Sequence, residues 1–178
     1  MADWMYTVRE RFTPTHHDWA AYVEWSGFSH ITELVTLDGI LCSDRIEDLV
    51  AEDWKYNVQA DFRLTWFTDL AYLRQRCPLR PHQDQLLAAI EPPTRQQPTP
   101  AGFNHCGFDL LDAEGSISVL TNCGRFPNIF KLTDVNIWGL IDKIEVAMAI
   151  AHQVRQDFPD EPHCQGCRVW QVARRITA

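Results

Sequence analysis

Apolar and polar residues alternate most regularly between Phe103 and Gly124, and the alternation predicts two strands folded about the turn Asp112-Ala113-Glu114-Gly115. Asp at the first turn position and Gly three residues later suit a type I turn ending in a left-handed glycine, a common three-residue hairpin loop. This loop sets Asp112 opposite Ser116. Counting back pairs Leu110 with Ser118, Phe108 with Leu120, Cys106 with Asn122 and His105 with Cys123. Neighbouring side chains on a strand point to opposite faces, so Cys106 and Cys123 are expected on opposite sides of the sheet.

A helical period is clearest from Lys143 to Phe158, where Ile144, Met148, Ala151, Val154 and Phe158 share one side and Pro159 ends the run. Asp142 and Glu145 have the spacing of a capping box, and Ile141 and Val146 that of a hydrophobic staple. Shorter stretches also read as helices: Thr15–Trp25, with Trp19, Tyr22 and Val23 in step, Asp44–Trp54, opened by Asp44 and Glu47, and Thr65–Arg76, closed before Pro78. Ser29–Gly39 fits a short helix, although its β-branched residues also permit a strand. Lys55–Leu64 reads as a connection. Gln85–Glu91 and Arg168–Ile176 read as strands, the second added to the hairpin with Trp170, Val172 and Ile176 on one face, and Trp4–Val8 is ambiguous with an edge strand as one reading.

These elements predict an α+β fold: an antiparallel sheet, built from the hairpin at about 103–123 and the C-terminal strand, packed by helices. The proline-rich stretch 92–102 divides a mostly helical part, about 1–91, from a sheet-forming part, 103–178. Neither part alone covers its aromatic residues, so the division reads as a loop within a single domain, 1–178.

Composition narrows the function classes. With 178 residues, 46% of them apolar, the chain can bury a sizeable core. A formal net charge of −8 argues against a nucleic-acid backbone as partner, because Lys and Arg must neutralise its phosphates. It suits a basic protein partner instead. No run of apolar residues reaches membrane-spanning length and no export signal is visible, so the expectation is a soluble cytoplasmic protein, not on a membrane, whose six cysteines are reduced thiols. Phosphate-loop, dinucleotide, nucleophile-elbow, zincin and EF-hand patterns are absent from the sequence, which weighs against an enzyme.

Among candidate sites, the sharpest local motif is His163-Cys164-Gln165-Gly166-Cys167. Its thiolates could hold zinc with His163 and His105, Cys106 or Cys123 completing a tetrahedron, if the last strand lies beside the hairpin. The competing reading is a pair of inert thiols at a strand entrance. Cys123, with Asn122 beside it and His105 across the predicted hairpin, is a candidate reactive thiol, against which stands an ordinary buried cysteine. His16-His17-Asp18 could suggest a metal or acid–base cluster, but adjacent residues on a helix diverge and Asp18 favours the dipole there, so the group reads as a helix start. Lastly, seven Trp, nine Phe and four Tyr exceed what the core requires, and the irregular segment 126–140 offers Phe126, Phe130 and Trp138 as a partner-binding patch. The leading expectation is thus a small acidic protein-binding module without a cofactor, of the kind that inhibits or neutralises another protein. The alternative is a metal- or thiol-dependent protein built on Cys164, Cys167 and the hairpin His and Cys residues.

Overall fold

Four strands, β1 (Met5–Glu10), β2 (Asp84–Ile90), β3 (Phe103–Leu111) and β4 (Arg168–Arg175), hydrogen-bond into one antiparallel sheet in the order β1-β2-β4-β3. They are joined by four helices: α1 (Trp19–Ser26), α2 (Leu70–Arg76), α3 (Ile144–Asp157) and α4 (Pro162–Gln165). The arrangement is the α+β class that the sequence pattern predicts. The structure, a computed structural model, describes residues 4–57, 65–91, 94–124, 126 and 128–175. The expectations for 58–64, Pro92-Pro93, Pro127 and Ile176 lie outside the described residues.

The strand alternation sorts side chains between two covered faces. Leu87, Ala89, Cys106, Leu111, Trp170 and Val172 face Val35, Leu37, Trp66 and Leu140. There the Trp66 and Trp170 rings stack at 5.5 Å, a contact worth about 1 kcal/mol beyond the area it buries. On the other face α2 joins Val8, Leu86, Ala88 and Ala173 through Leu73. Farther along the sheet, α3 packs Ala147, Ile150, Ala151 and Val154 near Phe108, Leu110 and Val169. Both outer strands are covered. Tyr6 exchanges backbone hydrogen bonds with Phe67 beside β1, and Phe108 does so with Ile141 beside β3. Covering the edges removes unpaired strand groups that would otherwise invite aggregation.

The predicted turn at 112–115 is present. Gly115 takes φ +71°, its amide donates to the Asp112 carbonyl at 3.0 Å, and the Asp112 side chain accepts the Ser116 amide at 2.9 Å. The second arm of the predicted hairpin is not a strand. Leu111, not Leu110, stands opposite Ser118, a shift of one residue, and the chain turns again where the Asn122 amide donates to the Ser118 carbonyl. The strand beside β3 is β4, with Leu111 opposite Arg168 and Phe103 opposite Arg175. Its register slips between His105 and Gly107. Gly107 has φ +143°, and a Cβ there would sit 2.7 Å from Leu140 Cβ, so glycine is required at this bulge.

The helix predictions hold in part. α3 lies as expected, but its cap is Lys143 without a side-chain hydrogen bond, because the Asp142 carboxylate accepts from Asn136 at 2.7 Å. α1 starts at Trp19, after a turn through Thr13–Asp18, and α2 starts only at Leu70, where the Asp69 side chain caps the Tyr72 amide at 2.8 Å. Residues 29–39 and 44–52 are irregular, not helical, and a single short 3-10 turn follows at Asp53–Lys55. In the second of these regions buried carboxylates override helix propensity: Asp53 accepts from Val50 N, Tyr72 Oη and Arg76 Nε and so ties three segments together. Two of the strands, β1 and β2, come from the part read as mostly helical.

Candidate functional site

Asp109 on β3 is fully buried and accepts four hydrogen bonds, none from a cation. Thr36 Oγ1 (2.7 Å) and the Leu37 amide (2.9 Å) donate to one oxygen, and Ser118 Oγ (2.6 Å) and its neighbour's amide, Leu110 N (2.9 Å), to the other. Asp38 works beside it. Its carboxylate takes the Ile40 and Leu41 amides at 2.9 Å, the Ser118 amide at 2.8 Å and Asn122 Nδ2 at 3.0 Å. Burial, with Asp38 as a further charge nearby, pushes the Asp109 carboxyl up to about 6 despite its donors. The consequence is positional: loops 36–42 and 116–124 are fastened to one node and carry Ile40 and Asn122 to the surface.

α1 lies against the same node. Tyr22, buried on its inner side, donates its hydroxyl to the Thr121 carbonyl at 3.1 Å, and burial drives its phenol pKa upward. Gly27 in the left-handed conformation closes the helix. Three residues after Tyr22, Trp25 stands 49% exposed, and across from it Ile40 is 68% exposed. Three depressions meet at Trp25. The first, about 300 Å³ and mainly apolar, lies among Phe28, Leu120, Phe126, Phe130 and Leu132. The second, about 540 Å³, runs past Ile40 toward Tyr22 and His16–Asp18. The third, about 610 Å³, runs past Asn122 toward Cys123, Phe158, His163 and Cys164.

Phe126 and Phe130, expected to be exposed, are each only 7% accessible. Their rings lie 6.4 Å apart and Phe126 meets Phe158 edge-on at 5.0 Å, so they form the wall of the first depression, not a protruding patch. Trp138 lies apart, packed on the Trp66 face with the Arg174 guanidinium 5.9 Å from its ring centre.

The C-x-x-C residues are placed for packing. Cys164 is in α4 and buried, and Cys167, just before β4, donates its thiol to the Ala151 carbonyl at 3.7 Å. Burial pushes both thiols up, that of Cys167 to about 11. His163 contacts Asp112 at 3.1 Å, while His105 sets its ring edge against Phe108 at 5.2 Å. Burial lowers the His105 pKa, and neither ring nitrogen has a hydrogen-bond partner among the described residues. His163, Cys164, Cys167 and His105 do not come together as one ligand set. Cys123 loses its expected partner as well, because the strand that would have faced His105 is absent. Burial, with Cys164, Asp38 and Asp112 as further influences, pushes its thiol up to about 12, the reverse of nucleophile activation.

The sequence reading passed over Trp25, Ile40 and the two buried aspartates. Trp25 was legible as an aromatic at the end of a helix stripe, but its exposure depends on Tyr22 taking the inward position. Asp38 and Asp109 each have local partners, but the bonds that join the two loops into one node run to residues 72 to 84 positions away in sequence, which no local pattern shows. Among the described residues, no helix is long and apolar enough to cross a membrane. No protein-family model, curated protein or solved structure matches the chain.

Proposed function

We propose that the chain is an acidic protein-binding module that receives an apolar anchor side chain of a basic partner in the groove around Trp25. The observation that carries this reading is the convergence of three depressions on one exposed tryptophan, with Ile40 opposite it. Interfaces gain most of their affinity from a few such apolar pockets surrounded by near-neutral contacts. The first depression, at about 300 Å³, has room for one leucine- or phenylalanine-sized side chain. Charge selects the partner. The chain carries −8 overall, and Asp18 and Glu161 border the groove together with Glu10, which is paired with Arg80. Among the described residues, the cations beside it are Arg11, held by Glu33 at 2.6 Å, and Lys131. Lys or Arg flanking the anchor would therefore meet a favourable field.

The test uses a photoreactive phenylalanine analogue at position 25, irradiated in the producing cells, with a second copy placed at the exposed Val146 of α3 as control. The expected result is one adduct specific to position 25, with a basic protein. The purified pair then binds about 30-fold more weakly with Trp25→Ala, and association slows as salt rises. Adducts no different from those at position 146, or a partner that binds Trp25→Ala as it binds the wild type, would refute the reading.

A further inference from the structure

We infer that His16, His17 and Asp18 form a site for a divalent transition-metal ion with zinc-like ligand preference, at the edge of the depression between Tyr22 and Ile40. The helix expected to spread these residues apart begins only at Trp19. The preceding turn is closed by hydrogen bonds from His16 N to the Thr13 carbonyl and from Trp19 N to the His16 carbonyl. In that turn the three side chains fold toward one another, and one ligand atom from each lies within 4.8 Å of the others. No other group of three or more His, Cys, Asp or Glu residues among those described meets this condition.

One ligand is anchored and two are exposed. His16 stacks on the buried ring of Phe12 at 4.4 Å, and its Nδ1 accepts the Asp18 amide at 3.2 Å. His17 stacks on His16 at 4.5 Å and places Nε2 3.0 Å from Asp18 Oδ2. The His17 and Asp18 side chains are 82% and 62% exposed, so both can rotate toward a shared ion without disturbing the core. Bonds of ~2.1 Å to a tetrahedral ion require donor separations of roughly 3.4 Å, which lies between the present His17–Asp18 spacing of 3.0 Å and the 4.8 Å within which all three ligand atoms fall. The ion takes His16 either at Nε2, with the ring proton moved to Nδ1, or at Nδ1 in place of the Asp18 amide. Either choice gives up one long, exposed hydrogen bond.

The donor set selects the ion. Two imidazoles and one carboxylate favour zinc, cobalt or nickel over calcium or magnesium, which prefer all-oxygen shells. Three protein ligands leave at least one position open, as in metal sites that exchange ligands and unlike closed structural sites. His16, His17 and Asp18 themselves border the roughly 540 Å³ depression, lined also by Glu10, Tyr22, Trp25 and Asn122.

The experiment titrates the full chain, freed of any affinity tag, with Zn²⁺ by calorimetry and with Co²⁺ by absorption. The expected result is saturable one-to-one binding, weakened at least about tenfold in His16→Ala and in His17→Ala, since losing a ligand costs no less than losing its supporting partner. The Co²⁺ spectrum should show weak ligand-field bands without intense sulfur-to-cobalt absorption. His17→Ala should melt as the wild type does, which keeps the test valid if His16→Ala disturbs Phe12. Absence of saturable binding, affinity unchanged in His17→Ala, or an intense sulfur-to-cobalt band would overturn the assignment.

Discussion

Asp109 and Asp84 are both buried carboxylates at strand positions of one sheet, and their surroundings are opposite. Asp84, with no side-chain exposure, meets two guanidiniums, Arg80 at 2.8 Å and Arg45 at 2.9 Å, and Arg80 goes on to Glu10. Burial raises the Asp84 carboxyl, but the hydrogen bonds and charge of Arg80 and Arg45 outweigh it and hold the group below its ordinary value. Asp109 has only hydroxyls and amides, so burial prevails and its pKa rises to about 6. One end of the sheet is thus fastened by paired charges and the other by oriented dipoles. The dipolar node fastens the loops that carry Ile40 and Asn122 to the groove.

The largest effect that would break this comparison is expected from alanine at the two sites. Asp109→Ala leaves two buried amides and two buried hydroxyls without their acceptor and should lower stability by about 4 kcal/mol in urea denaturation. Asp84→Ala should cost about 2 kcal/mol, because Arg45 and Arg80 retain 24% and 40% side-chain exposure and can rehydrate. Equal losses would show that the two nodes do not differ as described.

Next in size is the pH dependence, where the two groups have opposite signs. The folded pKa of Asp109 lies above its ordinary 3.8, so its contribution is complete below pH 3.8 and is lost as pH rises through about 6. For Asp84 the folded pKa is depressed, so its contribution is present above pH 3.8 and is lost as pH falls through the lowered value. Comparing wild type with Asp109→Asn from pH 4 to 6 should show wild type alone losing on the order of 2–3 kcal/mol, at about 1.4 kcal/mol per pK unit. Parallel profiles would remove the claim that Asp109 is destabilised when ionised.

The smallest expected effect sharpens the link to the groove. Ile40→Ala removes an apolar side chain that is 68% exposed and should change stability by less than about 0.5 kcal/mol, while weakening partner binding in the crosslinked pair. A loss of stability above 1 kcal/mol would show that Ile40 serves the core.

The comparison also shows why some of the fold was legible and some was not. The α3 helix, the turn at Gly115 and strands β2 and β4 follow from local period and turn chemistry and lie where the pattern predicts, except that Met148, read into the α3 stripe, is 38% exposed and Ala147 and Ile150 are buried instead. The segment Ser116–Cys123 has the alternation of a strand, but Ser118 and Thr121 are the polar lining of the Asp38–Asp109 node, and the backbone turns to reach it. Asp142 has the spacing of a cap, yet it is claimed by Asn136, which also donates to the Cys106 carbonyl at 2.8 Å beside the β3 bulge. In each case a contact distant in sequence overrides a local preference. The site was less legible than the fold for the same reason: Phe126 and Phe130 were recognisable as clustered aromatics, but whether they face solvent or line a wall depends on α1, a hundred residues earlier.

The central position of β4 has a consequence for synthesis. It lies between β2 and β3, which make no ladder with each other, and it is assembled from the last described residues of the chain. A nascent polypeptide still lacking 168–175 holds the β1–β2 ladder and β3 with nothing to bridge them, so the sheet zips shut only once those residues have left the ribosome, and chaperone dependence during translation should be concentrated before that moment.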